Sequence, residues 1–406
     1  MNASSAIRMP LLDRAFYLLD ETRSPQDFTI ILHLNDSPNL DQLCAGAHSA
    51  MNRFPISASC IQGRKWVWRE NDNFKPQIFA EDRSAIERFV NKPFDLRCET
   101  PIKQALILDE RRVVSVATRF HHSAADGLSA ALWLGHQLNV AFGLEAAQHK
   151  RTPFIDLPLR RLETSVRRSR FAFDKACDPL QAASAKRSGQ RSWASISFPA
   201  IDLQKACRRI GGFTYNDLLA TITLETMRLM NCNHARIGLW VPVNVRREHN
   251  AGFGNGTSRI RVYARFNPGS SLIDKCREVR RQVSWTTKHG EWAVPDVPWF
   301  ASLPGTVIGP LLRGYLRLPS VDMATGVFSH AGSWLANAGE AFKHVERIEC
   351  IGLLHPRQNL ATNAATHNGT TWLTLTYDPA QLGTREIENL RRSYEEQIGI
   401  ARRDLL

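Results

Sequence analysis

Hydrophobic positions along the chain alternate between a period of two and a period near 3.6, and the switches predict alternating strands and helices. Residues 10–20 place Leu11, Leu12, Ala15, Phe16, Leu18 and Leu19 in a short amphipathic helix. Phe28 to Leu34 reads as a strand that ends at Asn35-Asp36-Ser37-Pro38. From Leu40 to Met51 the spacing turns helical, with Leu43, Ala47 and Met51 on one face. Trp66-Val67-Trp68 is a short strand, and Asp82 is suited to cap a helix that runs to Val90. Val113, Val114, Val116 and Phe120 then form a β-branched and aromatic run, bounded upstream by Asp109-Glu110-Arg111-Arg112. Leu128, Ala131, Leu132, Gly135 and Leu138 follow at helical spacing, with Asp126 at the helix start. The residues between, His121-His122-Ser123-Ala124-Ala125-Asp126-Gly127, lie where a strand turns into a helix, a place where reactive side chains are often presented.

The second half repeats the alternation. Trp193 to Phe198 reads as a strand, and Ile201 to Ile210 as a helix stopped by Gly211-Gly212. Thr214-Tyr215-Asn216-Asp217 has capping-box spacing ahead of a helix that buries Leu219, Ile222, Thr226 and Leu229. Strands are expected over Ile237–Val241 and Ser258–Phe266, and a helix over Leu272–Val283. A hairpin is expected over Asn359–Tyr377, turning at Asn368-Gly369, before a closing helix over Thr384–Ile400. Between the halves, residues 148–191 hold eleven basic and four acidic side chains, with prolines at 153, 158 and 179. This composition marks a linker or crossover. The division is therefore 1–150, a basic linker over 151–191, and 192–406.

A chain of 406 residues that is 43% hydrophobic can bury a sizeable core. The eight cysteines show no Cys-x-x-Cys spacing, which points away from a disulfide scaffold or zinc site and toward a reducing, cytoplasmic setting. Met1 to Arg8 has no apolar signal-peptide core. The nearest candidate for a membrane span, Trp299 to Leu312, is uncharged but falls short of ~18 apolar residues and is broken by Pro304, Gly305 and Pro310. The Trp-, Pro- and Leu-rich segment 292–320 suits an acyl tunnel, a membrane surface or plain core. The net charge of +13 comes without any nucleic-acid-binding signature. It suits the phosphates of coenzyme A, an acidic carrier protein or an anionic membrane.

The histidine pair carries the chemistry. Neighbouring residues on a strand point to opposite faces, so His121 and His122 cannot both face one substrate, nor share one metal ion with Asp126. A histidine near its ordinary pKa can take a proton at neutral pH, a role that contributes ~10²- to 10⁴-fold in rate. Gly127 lets the backbone pass close to another segment or to a substrate arm. The pattern His-His-x-x-x-Asp-Gly resembles the active-site signature of the thioester-dependent acyltransferase superfamily. That superfamily includes chloramphenicol acetyltransferase, the condensation domains of peptide synthetases and the wax ester synthase/diacylglycerol acyltransferase group. Shorter phrases in the same order add to the resemblance. They are Asp13 and Phe16 after Pro10, Arg53-Phe54-Pro55, Pro93-Phe94-Asp95-Leu96, Asn216-Asp217, Pro242-Val243-Asn244 with Arg246, Gly254-Asn255, and Leu375 to Asp378 after Asn368-Gly369. Two phrases depart from it. Phe328 to Ser333 stands where wax ester relatives carry Asn-x-Pro-Gly, and the Asp-Phe-Gly-Trp-Gly of plant relatives is missing.

The resemblance implies an α/β (α+β type) fold of two chloramphenicol acetyltransferase-like subdomains, each a mixed sheet with flanking helices, and an active-site channel between them. It makes His122 the general base. It makes Asp126 a structural support that pairs with an arginine elsewhere, and leaves His121, Gly127 and Arg246 to shape the site. The sequence leaves open whether Arg246 is that arginine. No bound cofactor or metal is implied. The co-substrate is acyl-CoA or a phosphopantetheinyl carrier, the acceptor an alcohol or an amine, with the alcohol favoured. An acyl carrier protein and peripheral contact with the inner membrane are candidate partners; nucleic acid is not. The setting is lipid or secondary metabolism. Amide-forming condensation on carrier-bound substrates is the alternative within the fold. A non-catalytic binding module of the same fold is a further alternative, and a metal hydrolase is another.

Overall fold

The computed structural model describes residues 6–20, 24–36, 38–69, 74–80, 82–110, 112–145, 159–160, 177–178, 180, 187–231, 236–246, 253–267, 269–289, 294–295, 303–317, 324–332, 339–355 and 357–406. Two mixed sheets with flanking helices organise the chain, as the α/β reading requires. The first has five strands in the order Val345–Ile351, Asp27–Leu34, Arg112–His121, Ile102–Asp109, Gln77–Ala80. Only the last pair is parallel.

Arg112–His121 is the central strand and is buried from Ser115 onward. A strand covered on both faces reads as a nearly continuous apolar run, which is how this one appears in the sequence. Val116 and Phe120 face a core shared with Trp133 and Leu134 of helix Gly127–Ala141 and with Leu43 and Met51 of helix Leu40–Arg53. Ala117, on the other face, packs near Ile31, Phe89 and Trp193. The two helices approach closely: a Cβ at Gly46 would lie 2.3 Å from the Gln137 carbonyl oxygen, so only glycine fits there. Asn39 and Gln42 cap the first of them reciprocally.

The second sheet has six strands in the order Thr257–Tyr263, Gly238–Asn244, Gly326–His330, Leu360–His367, Thr370–Tyr377, Ser192–Pro199. Gly326–His330 runs parallel to both neighbours, and the other pairs are antiparallel. Helices Ile201–Ile210, Tyr215–Met230, Leu272–Lys288 and Thr384–Leu405 bury Leu203, Leu219, Cys276 and Tyr394 against it. Thr214 and Asp217 form the capping box that the spacing predicts. Asn368 and Gly369 both take positive φ, 46° and 74°, as a two-residue hairpin turn requires.

One strand crosses the division drawn on the sequence. The sequence groups residues 192–406 together, yet Val345–Ile351 joins the sheet of the first half beside Asp27–Leu34. The reason is the edge. Asp27–Leu34 is buried along nearly its whole length, and an uncovered edge there would leave a row of unpaired backbone groups. The crossing strand is sewn to the second sheet as well. Cys350 and Gly352 donate their N–H groups to the Thr374 and Thr376 hydroxyls at 3.0 Å each. Trp193 Nε1 and Ser195 Oγ donate to the Glu349 carboxylate at 3.1 and 2.7 Å.

Most of the basic linker lies outside the described residues. In segment 292–320, helix Gly305–Arg317 rests on helix Leu11–Leu19, with Arg14 donating to the Leu303 carbonyl at 2.6 Å and Arg313 to that of Leu18 at 2.7 Å. Among the described residues no helix is long and apolar enough to cross a membrane, and no group of three His, Cys, Asp or Glu side chains could hold a metal ion.

Candidate active site

The central strand ends at His121, whose N–H donates to the Pro101 carbonyl at 2.9 Å. The chain then turns tightly. Ala124 N–H donates back to the His121 carbonyl at 2.9 Å, and His122 N–H to the Gln26 carbonyl at 2.8 Å. The two histidines diverge as the pleat demands. The His121 side chain is fully buried; its Nδ1 accepts from Ser123 N–H at 3.1 Å and pairs with the Ser123 hydroxyl at 2.7 Å. These bonds assign its proton to Nε2, which lies 3.4 Å from Asp20 Oδ2. His121 therefore braces the turn.

His122 takes the other side. Its ring stacks on Phe16 at 4.9 Å between centroids and 19° between planes, and meets Phe28 at 4.7 Å and 43°. Nδ1 is buried without a hydrogen-bond partner. Burial between two phenyl rings pushes the imidazole pKa down to about 4; Asp126 opposes this and His121 adds to it. The ring is thus neutral, with its lone pair available, throughout the neutral range. The acid limb of any reaction that uses this base is expected near pH 4 and not near the ordinary 6.5. A pH profile of kcat/KM, measured where the protein stays folded, checks this.

Asp126 caps helix Gly127–Ala141, accepting from Ser129 N–H at 3.0 Å. Its carboxylate also receives Arg246 in a two-pronged pair, Nη1 to Oδ2 and Nη2 to Oδ1, both at 2.7 Å. Gly256 N–H and the Thr257 hydroxyl complete the shell at 2.8 and 2.7 Å. Burial alone would raise this pKa, but the Arg246 charge and these donors outweigh it and hold Asp126 below the usual carboxylate range. The pair joins the two halves of the chain: Asp126 and Arg246 are 1% and 3% exposed in their side chains. Arg246 donates further to the Gly254 carbonyl at 2.8 Å and to Ser129 Oγ at 3.0 Å. A Cβ at Gly256 would come within 2.5 Å of the Arg246 side chain, so a glycine is needed for the arginine to pass. Gly127 opens the motif helix and is half-buried.

The structure thus gathers all five residues singled out in the sequence around one turn, and it gives Arg246 its partner. Several others were not singled out as site residues, although Asn255 lay in one of the phrases that carry the resemblance. Phe28 appeared only as strand. Asn255, from the second half, donates Nδ2 to the His122 carbonyl and to Asp13 Oδ1. Asp27 sits one strand away from His121 and is shared by two buried arginines, Arg119 and Arg191, each 3.0 Å from its Oδ2. Arg191 belongs to the end of the basic linker. Burial would raise the Asp27 pKa, but the two guanidinium groups lower it.

No protein-family model and no curated protein sequence matches the chain. Solved structures do. The first condensation domain of the calcium-dependent antibiotic synthetase, solved with a substrate analogue, matches with a TM-score of 0.72 at 13% identity, covering 99% of this chain and 98% of that one. The fold is that of a condensation domain. The starter condensation domain of rhizomide synthetase, solved with C8-CoA and Leu-SNAC, matches at 0.69 and 10% identity over 98% of this chain and 95% of its own. Polyketide synthase associated protein 5 from Mycobacterium tuberculosis matches at 0.65 and 14% identity over 96% and 98%. At these identities the condensation-domain likeness is one of fold. It is the fold of the chloramphenicol acetyltransferase-like superfamily, which the histidine motif resembles.

Proposed function

We propose that this chain transfers an acyl group from a thioester directly to a hydroxyl or amine acceptor, with His122 as the general base. One observation carries the reading: an imidazole held between Phe16 and Phe28 stands at a turn that the buried Asp126–Arg246 pair locks across the two halves. With Nδ1 buried and unpartnered, Nε2 is the nitrogen left to act. It takes the proton from the acceptor O–H or N–H as that atom attacks the thioester carbonyl. The carbon–sulfur bond then breaks, and the thiolate takes the proton back from the imidazolium. No acyl-enzyme is formed. Asp126 touches no reacting atom; it shapes the turn.

A second reading, amide-forming condensation on carrier-bound substrates, is favoured by the neighbours. Several are domains of peptide synthetases, and one was solved with an acyl-CoA together with Leu-SNAC. Its substrates would also be thioesters, so one assay separates the two. Acyl-CoA donors from short to long, and the same acyl groups on a phosphopantetheinyl carrier protein, are each offered with pooled alcohols and amines. Free thiol is followed and products are identified by mass. Ester formed from either donor, or amide formed from acyl-CoA, supports the first reading. Amide formed from the carrier alone supports the second. No thiol from any donor contradicts both.

A further inference from the structure

Helix Leu11–Leu19 presents two residues, one turn apart, to the candidate site. Phe16 stacks on the His122 ring. Asp13, 2% exposed, points toward Asn255 and takes a hydrogen bond from its Nδ2 at 3.2 Å. The same Nδ2 contacts the His122 backbone carbonyl. An amide NH₂ carries two protons, so one can go to each acceptor. Asn255 is buried and comes from the loop that also supplies Gly254 and Gly256 to the Asp126–Arg246 pair. Three separate stretches of chain therefore meet on one side chain.

We propose that Asp13 is a positioning residue for His122: it fixes the orientation of the Asn255 amide, and through that amide it fixes the carbonyl and ring of the base. This rests on the acyl-transfer reading given above. A buried carboxylate without a counter-charge is costly, and here burial pushes the Asp13 pKa up to about 8, with the nearby Asp126 charge adding to the rise and the Asn255 hydrogen bond opposing it. At neutral pH the group is thus a neutral acid. A neutral acid can aim an amide by hydrogen bonding, and a carboxamide of the same shape can replace it. Without Asp13, the Asn255 amide keeps one of its two acceptors, and its orientation rests on the His122 carbonyl alone.

The test uses the full chain, labelled in its thirteen histidines, with the His122 resonances assigned by their loss in His122→Gln. Asp13→Ala is compared with Asp13→Asn. Asp13→Ala is expected to move the His122 ring protons away from the position that Phe16 stacking gives them. It is expected to lower kcat about 10- to 100-fold while KM stays within about twofold, the scale on which small misplacements act. Asp13→Asn is expected to restore both. A folded Asp13→Ala protein with unmoved His122 resonances overturns the proposal. So does an Asp13→Asn protein as perturbed as the alanine variant. If Asp13→Ala does not fold, Asn255→Gln carries the test: it moves the amide by one methylene, and unmoved His122 resonances there overturn the proposal equally. The resonances are read without substrate. A wild-type protein that releases no thiol would therefore sink the acyl-transfer reading while leaving the positioning claim to be decided on the spectra.

Discussion

Replacing Asp126 by alanine is expected to destabilise the protein by about 3–5 kcal/mol and to cost most of its turnover at the same time, because it leaves a buried guanidinium without its partner. Arg246 would keep its bonds to Gly254 and Ser129 but lose both carboxylate contacts at 2.7 Å. Gly256 N–H and the Thr257 hydroxyl would lose their acceptor, and the motif helix its cap, which alone is worth about 1 kcal/mol. The damage spans both halves, since the pair is what joins the turn after His122 to the loop 253–256. Denaturant unfolding monitored alongside activity checks this. Asp126→Ala/Arg246→Ala is expected to recover part of the lost stability, because no unpaired charge remains. Arg246→Lys is expected to stay impaired, since an ammonium cannot reproduce the two-pronged geometry. A fully stable but inactive Asp126→Ala protein would instead give Asp126 a direct part in the chemistry.

His122→Ala is expected to behave in the opposite way. The ring makes no ion pair and braces no other element; it fills the space between Phe16 and Phe28. Its removal should leave the fold intact and lower turnover by about 10²- to 10⁴-fold, the usual contribution of a positioned base. Binding of the thioester should be nearly unchanged, since the base acts on the acceptor proton. The loss should therefore appear in kcat. Comparable loss in kcat and stability together would make His122 a packing residue.

How much of this was legible in the sequence depended on how local each feature is. The strand into the histidines and the helix out of them follow from a change of period over about 25 residues. Asn368-Gly369 and the Thr214 capping box are signalled within four residues. The opposed directions of His121 and His122 follow from the pleat alone. Val345–Ile351 carries no clear strand signal because Arg347 and Glu349 interrupt its apolar pattern. Only the fold shows that Glu349 is satisfied by Trp193 and Ser195 from more than 150 residues away. Arg246 stood out as a site residue without a partner; its partner lies 120 residues earlier. In the sequence Asp13 enters only with Phe16, as one phrase of the resemblance. Its burial depends on Asn255, 242 residues on, and no period records such a contact. The Asp27–Arg119–Arg191 cluster was hidden for the same reason, with Arg191 submerged in a run of basic linker residues.

The central claim is that this turn is a working base for acyl transfer, and thiol release tests it most directly. Wild type and His122→Ala, matched for folded fraction, are run side by side on the best acyl donor with saturating acceptor. The account predicts acceptor-dependent thiol release by wild type that falls by at least about 10²-fold in the mutant. Equal rates in the two proteins would contradict it.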